Sequence, residues 1–324
     1  MSTPAEVAAA ARPERRTRPG LGLNVVVLVA LLAVVVVGLE TDRFVTVANA
    51  KAILTSASLV GIAALGLTLI TIGGGAVSLA ISQTVAAVGM VFLTTQSLGL
   101  WPAVAIALVT GALMTGLQGA IVGYAAANPI VLTIAASFAI TGVATGLSGG
   151  ESVHASGSGY DLLNSTPGGL ALSVYVLIVL VGVVEWTLRR TSFGRVLYLV
   201  GENRRAARAA GLRVGRTISL AWLLAGALFA VTACFTAAFN TAANVNLGGT
   251  LTFDAIAAVL AGGTPISGGR GSAVRTLAGA VLIAAVSDIL LLRGYSTGVQ
   301  IMVKGLIVLF VVVLVHLRTR GRHA

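Results

Sequence analysis

The chain has 324 residues, 57% of them hydrophobic and only 10% charged, with a formal charge of +11. A soluble globule needs more polar surface than this, disorder needs low hydrophobicity, and a disulfide scaffold needs more than the single Cys234. With a mean hydropathy of +0.99, the composition points to an all-α, polytopic membrane protein of about ten helices, each roughly 20 residues long.

In chain order, a basic tail (1–20) precedes a membrane domain (21–318) and a short second tail (319–324). Ten apolar runs are predicted as spans: 22–39, 52–72, 76–96, 99–124, 129–148, 169–188, 217–240, 251–267, 273–292 and 298–317. Several are rich in Gly, Ala, Ser and Thr, which let helices approach closely in lipid. The first run and Ala48-Asn49-Ala50 loosely resemble a cleaved signal peptide. That run is too long for such a segment, and Glu40, Asp42 and Arg43 intervene, so an uncleaved span is the preferred reading.

Lys and Arg set the expected orientation. With a cytoplasmic N-terminus, 17 of the 21 basic residues fall on the cytoplasmic side. They lie in the tail, in the loop 189–216, at Arg270 and Arg275, and at Arg318, Arg320 and Arg322. Arg43, Lys51 and Arg293 fall outside, and Lys304 lies within the last span. Both termini are therefore expected in the cytoplasm. The outer loop 149–168 holds Glu151, His154 and Asp161 and no Lys or Arg; it suits either a connector or a contact for an external partner. The basic residues have no aromatic-rich surface beside them, which argues against nucleic acid.

No catalytic constellation is expected. Neither Lys51 nor Lys304 stands in a Gly-Lys-Ser/Thr phosphate loop. The three histidines are scattered, so no metal site is expected, and no cofactor is called for. Gly146-Leu147-Ser148-Gly149-Gly150 matches a nucleophile pattern, but it closes an apolar helix rather than a strand-to-helix turn. A membrane chain without chemistry of its own is a conduit, an anchor or a subunit.

Residues 201–214 predict a short helix with Asn203 as N-cap, Ala and Arg within, and Gly211 as C-cap. Ala206, Ala207 and Ala210 share one small-residue face, which suits a docking knob for a soluble motor as well as a solvated loop. The pattern Gly201-x-Asn203, Ala206-Ala207-Arg208, Gly211-Leu212-x-Val214 resembles the cytoplasmic coupling loop of ribose-type sugar permeases of ATP-binding-cassette importers. That family also includes branched-chain amino acid permeases. Asp254-Ala255-Ile256-Ala257-Ala258-Val259, Gly262-Gly263-Thr264 and Gly268-Gly269-Arg270-Gly271 are similar to its signature in the same order. Lys304, Asn128-Pro129 and Gly73-Gly74-Gly75 have counterparts there too. Ser78 departs from the pattern by standing where the family carries an acidic residue, and Arg275 by standing where glycine is common.

The resemblance implies a permease subunit in the bacterial plasma membrane that imports a monosaccharide. Its implied partners are a cytoplasmic ATPase pressing on Gly201, Glu202, Asn203, Ala206, Ala207, Arg208 and Gly211, an external solute-binding protein, and a second permease copy or paralogue. Nucleosides or branched-chain amino acids are alternative solutes within the family. A proton-coupled transporter using Asp254 or Asp288 is an alternative outside it, as is a non-transporting anchor. Charge at membrane depth demands a partner, and Asp254 and Lys304 lie at similar depths from the same side, so they are predicted to pair in a packing role. The Gly clusters interrupt spans as broken helices do in transporters. Ile62-Ala63-Ala64 and Ile256-Ala257-Ala258 hint at an internal repeat. Candidates along the path are Gly74, Gly75, Ser78, Asn128, Asn240 and Asn244, with Ser82, Gln83 and Thr133 as further polar positions.

Overall fold

The computed structural model describes residues 38–41, 43–74, 77–155 and 159–320. The expected first span, all but its last two residues, lies outside these, as do the basic tail, Gly75 and the chain beyond residue 320. Eleven α-helices are described: α1 Val47–Ile72, α2 Ile81–Thr94, α3 Leu100–Tyr124, α4 Pro129–Ser148, α5 Leu172–Arg190, α6 Ser192–Glu202, α7 Arg204–Ala209, α8 Val214–Asn240, α9 Leu251–Ala261, α10 Ala273–Leu292 and α11 Thr297–Arg320. One antiparallel pair of two-residue strands joins Val153–His154 (β1) to Ala242–Ala243 (β2).

Local sequence sets several boundaries. Thr46 caps α1 by accepting the Asn49 N–H, and Asn128 caps α4 by accepting that of Ile130, with Pro129 in its first turn. Gly149, in the left-handed region, ends α4. Ser148 of the Gly-x-Ser-x-Gly pattern is thus the last residue of this helix. In lipid every backbone polar group must be satisfied within the protein, and helices meet that demand internally. The core lies where α1, α8 and α2 meet, around Phe92, Trp222 and Phe229. Small residues let α3 and α8 run close together: Gly111 lies on Gly226, and Gly119 on Trp222.

Among the described residues seven helices are long and apolar enough to cross a bilayer. The expected span 251–267 is corrected: α9 has 11 residues and stops at Gly262. Its length of about 16 Å is half of a ~30 Å hydrocarbon core. The expected span 76–96 is present as Ile81–Leu98, α2 continued by a 3-10 turn; it starts later than expected because the chain is non-helical from Val77 to Ala80.

α2 and α9 meet end to end. α1 ends at Gly73 and Gly74 beside α6 and α7, the end called here the arginine-rich end, and Val77 to Ala80 are non-helical and buried or half-buried. Residues 241–250 dip in from the opposite end, where β1 and β2 pair. α2 then runs toward the strand end and α9 toward the arginine-rich end, with their N-termini abutting. α2 with its 3-10 extension, Ile81–Leu98, is one of the seven membrane-length helices, whereas α9 is not.

Candidate functional site

Two abutting helix N-termini place like partial charges together and leave amide donors unpaired. Ser82 and Thr252 answer both needs. Thr252 Oγ1 accepts the Ser82 N–H at 2.9 Å, Ser82 Oγ accepts the Thr252 N–H at 3.0 Å, and the two hydroxyls lie 2.8 Å apart. Ser82 Oγ also reaches Gly249 O at 3.3 Å. Asp254, in the first turn of α9, adds negative charge where the dipole is positive. Its Oδ2 accepts from Thr250 Oγ1 at 2.8 Å, and Lys304 Nζ lies 2.8 Å from its Oδ1. Asp254 and Lys304 are both buried, so α11 is tied by charge to the half-helix beside it.

The second constellation sits at the arginine-rich end. The short helix expected within 201–214 is present with Asn203 as its N-cap, and it forms an elbow with the helix before it; only its C-cap differs, Ala210 in place of Gly211. Gly201 and Glu202 end α6, Asn203 turns the chain, and α7 is a six-residue helix whose N-cap Asn203 accepts the Arg205 and Ala206 N–H groups at 3.0 Å each. Ala210 is its C-cap, and Gly211 follows with a positive φ of 76°. Ala207 packs into the core, whereas Glu202, Asn203, Ala206, Arg208, Ala210 and Gly211 are exposed.

This elbow is pressed against both helix breaks. Gly269 N–H donates to Ile72 O at 3.0 Å, linking the end of α1 to the loop between α9 and α10. Gly201 lies on that link, and a Cβ there would fall on Ile72 O and the Gly269 nitrogen. Gly269 has a φ of 72°, and its own Cβ would stand 2.9 Å from the Glu202 backbone. Only glycine satisfies both positions. Arg204 Nη2 donates to Gly74 O at 3.1 Å. Burial lowers the Arg204 guanidinium from its ordinary value, and the neighbouring Arg208 charge adds to this. Tyr198 donates to Gly271 O at 2.9 Å. Burial raises the Tyr198 hydroxyl from its ordinary value and the Glu185 carboxylate adds to this, against smaller effects of Arg189 and Arg275. Glu185 caps α10, accepting from Ala273 N at 2.7 Å and Ser272 Oγ at 3.1 Å, and it pairs with Arg189.

The path candidates do not form one cluster. Gly74 belongs to the elbow contact. Ser78 is buried in the non-helical stretch before α2, its hydroxyl 3.4 Å from Ala80 N. Thr133 of α4 accepts the Leu79 N–H at 3.1 Å. Asn128 is exposed at the arginine-rich end of α4. Asn240 and Asn244 lie at the strand end, where Asn240 donates to Thr236 O and Asn244 to Ser152 Oγ. Asp288 accepts from Asn49 at 2.7 Å. Sequence reasoning missed Tyr198, Arg204 and Glu185. Glu185 carried a usable signal, being a carboxylate inside an otherwise apolar run.

The family described as branched-chain amino acid transport system, permease component, matches residues 49–313. The autoinducer 2 import system permease protein LsrD of Klebsiella pneumoniae is 33% identical over 266 residues, covering 78% of this chain and 79% of its own. The ribose import permease protein RbsC of Escherichia coli K12 is 29% identical over 296 residues, covering 88% and 91%. The probable ABC transporter permease protein YphD of the same strain is 39% identical over 144 residues, covering 44% and 43%. No solved structure matches the chain. A family match over more than three-quarters of the chain, on a bundle of membrane-length apolar helices, shows that this protein belongs to the permease-component family of these transport systems.

Proposed function

We propose that the chain is the membrane subunit of an ATP-binding-cassette importer for a simple sugar in a bacterial plasma membrane, with the arginine-rich end in the cytoplasm. One observation carries the reading: the α6–α7 elbow touches both helix breaks at once, through Gly201 on the Ile72–Gly269 hydrogen bond and Arg204 on the Gly74 carbonyl. A push on the exposed residues Glu202, Asn203, Ala206, Arg208 and Gly211 reaches the ends of α1 and α9 through backbone contacts. A cytoplasmic ATPase supplies that push, and an external solute-binding protein delivers solute at the strand end. The permease itself contributes two shapes whose populations its partners shift. The name of the ribose relative supports a sugar as cargo.

The pathway forms between two permease subunits. α4 is a 20-residue apolar helix whose one fully buried residue is Thr133. Phe138 and Leu147 are exposed on it, as are Met302 and Leu306 on α11. α4 and α11 flank the α2–α9 junction, so a second copy covers both and encloses the junction.

Proteoliposomes test the reading. With an ATPase and a binding protein from the same source, ATP is expected to drive sugar uptake that a protonophore leaves intact. Uptake against a gradient by this chain alone would overturn it. Asp254 as a proton carrier is disfavoured by its contacts with Lys304 and Thr250.

A further inference from the structure

A groove of about 360 Å³ runs along the outside of the bundle between α3 and α8. Leu113, Leu117, Leu220 and Leu223 form its walls, and Gly116 and Ala120 keep it deep. It extends from Ala112 to Tyr124, about 18 Å of helix rise, close to half of a ~30 Å hydrocarbon core. On the α8 side it extends from Arg216 to Leu223, about 10 Å of rise, so both walls cover roughly two-thirds of one leaflet. At the arginine-rich end the groove closes on Tyr124 and Arg216. The Tyr124 ring lies on Gly215, in the first turn of α8. Ser219, the other polar lining residue, is satisfied within the protein, donating to Gly215 O at 2.9 Å. The Arg216 guanidinium and the Tyr124 hydroxyl have no hydrogen-bonding or ionic partner among the described residues.

We propose that this groove is a binding site for one anionic phospholipid of the leaflet on the arginine-rich side. Its acyl chain fills the leucine-walled channel, and its phosphate meets Arg216 and Tyr124. The groove lies on the outer face of the bundle, where an aliphatic chain matches its walls in chemistry. At the mouth a fixed cation and a phenol at headgroup depth match a phosphate in charge and in hydrogen bonding. Arg213, exposed one residue before α8, adds positive charge at the same end. The site does not depend on the transported solute or on the ATPase.

Native mass spectrometry of the purified full chain tests it, with equal amounts of phosphatidylglycerol and phosphatidylcholine offered in detergent. The wild type is expected to retain phosphatidylglycerol at least tenfold over phosphatidylcholine. Arg216→Gln should erase the preference while keeping some lipid, and Arg216→Lys should keep most of it. Ala120→Trp, which fills the channel from the outer face of the bundle, should cut retention of both lipids. Melting temperatures in lipid-free detergent confirm that each variant is folded. Equal retention of the two lipids by the wild type overturns the proposal, as does a preference that survives in Arg216→Gln. A photo-reactive group at Leu117 is expected to label lipid; labelling of a second copy or of the 22–39 segment also overturns it.

Discussion

Ser82 and Thr252, 170 residues apart in sequence, each cap the helix that the other begins. Each side chain accepts the other's amide proton, so the two helices share one set of caps. This exchange is expected to be strongly coupled. Thr252→Val removes the acceptor for Ser82 N–H and leaves a buried donor unpaired, at a cost of about 1–3 kcal/mol. Ser82→Ala does the same to Thr252 N–H. The double variant should lose less than the sum of the two, and Thr252→Ser should lose least. Thermal or denaturant unfolding in detergent reads this; strict additivity would show that the caps act independently.

The Asp254–Lys304 pair sets a second expectation. Removing one partner of a buried pair leaves an uncompensated charge and costs about 3–5 kcal/mol. Asp254→Asn and Lys304→Met should each lower the yield of folded protein and the melting temperature. The exchange Asp254→Lys with Lys304→Asp should recover part of the loss. The recovery should be incomplete, because a lysine in the first turn of α9 meets the positive end of its dipole. No recovery at all would show that the 2.8 Å contact does not hold the charges in place.

Arg204 separates coupling from folding. Arg204→Gln keeps a donor near Gly74 O but shortens the reach, and Arg204→Ala removes it. In the reconstituted importer both should reduce solute moved per ATP hydrolysed, the second by severalfold, with membrane insertion unchanged. Unchanged stoichiometry in Arg204→Ala would remove this arginine from the transmission route.

Tyr198 predicts a pH dependence. Its hydroxyl titrates above the ordinary 10.0 in the folded protein, so folding favours the neutral form. The stability it contributes is complete below pH 10 and is lost as pH rises beyond that value. The phenolate also loses the proton donated to Gly271 O. Tyr198→Phe should be less stable than wild type by about 1 kcal/mol at pH 8, and the gap should narrow as pH rises above 10. Melting temperatures on both sides of that pH check this; a constant gap contradicts it.

Much of this was legible in the sequence, for reasons that also mark where legibility ends. Apolar runs report membrane helices because lipid leaves the backbone few alternatives. A hydropathy window averages across a break, so 251–267 read as one span although Gly262, Gly263 and Pro265 interrupt it. Depth counted from the span edges brought Asp254 and Lys304 to one level, since both lie on regular helix. Asn203 was legible as a cap because capping is local. The partner of Arg204 was not: Gly74 lies 130 residues away, and nothing in either segment alone encodes their approach. The doubled caps were hidden for the same reason, although the polar character of Ser82 was visible.

The shortness of α9 also bears on how the protein is made. Eleven residues are too few to partition into a bilayer as an autonomous segment during synthesis. α9 must enter in company, and its amide cap comes from Ser82, translated long before it, while its counter-ion Lys304 is translated after it. The last quarter of the chain is therefore assembled onto an N-terminal part already waiting in the membrane, and a ribosome stalled before residue 304 would leave Asp254 without its cation.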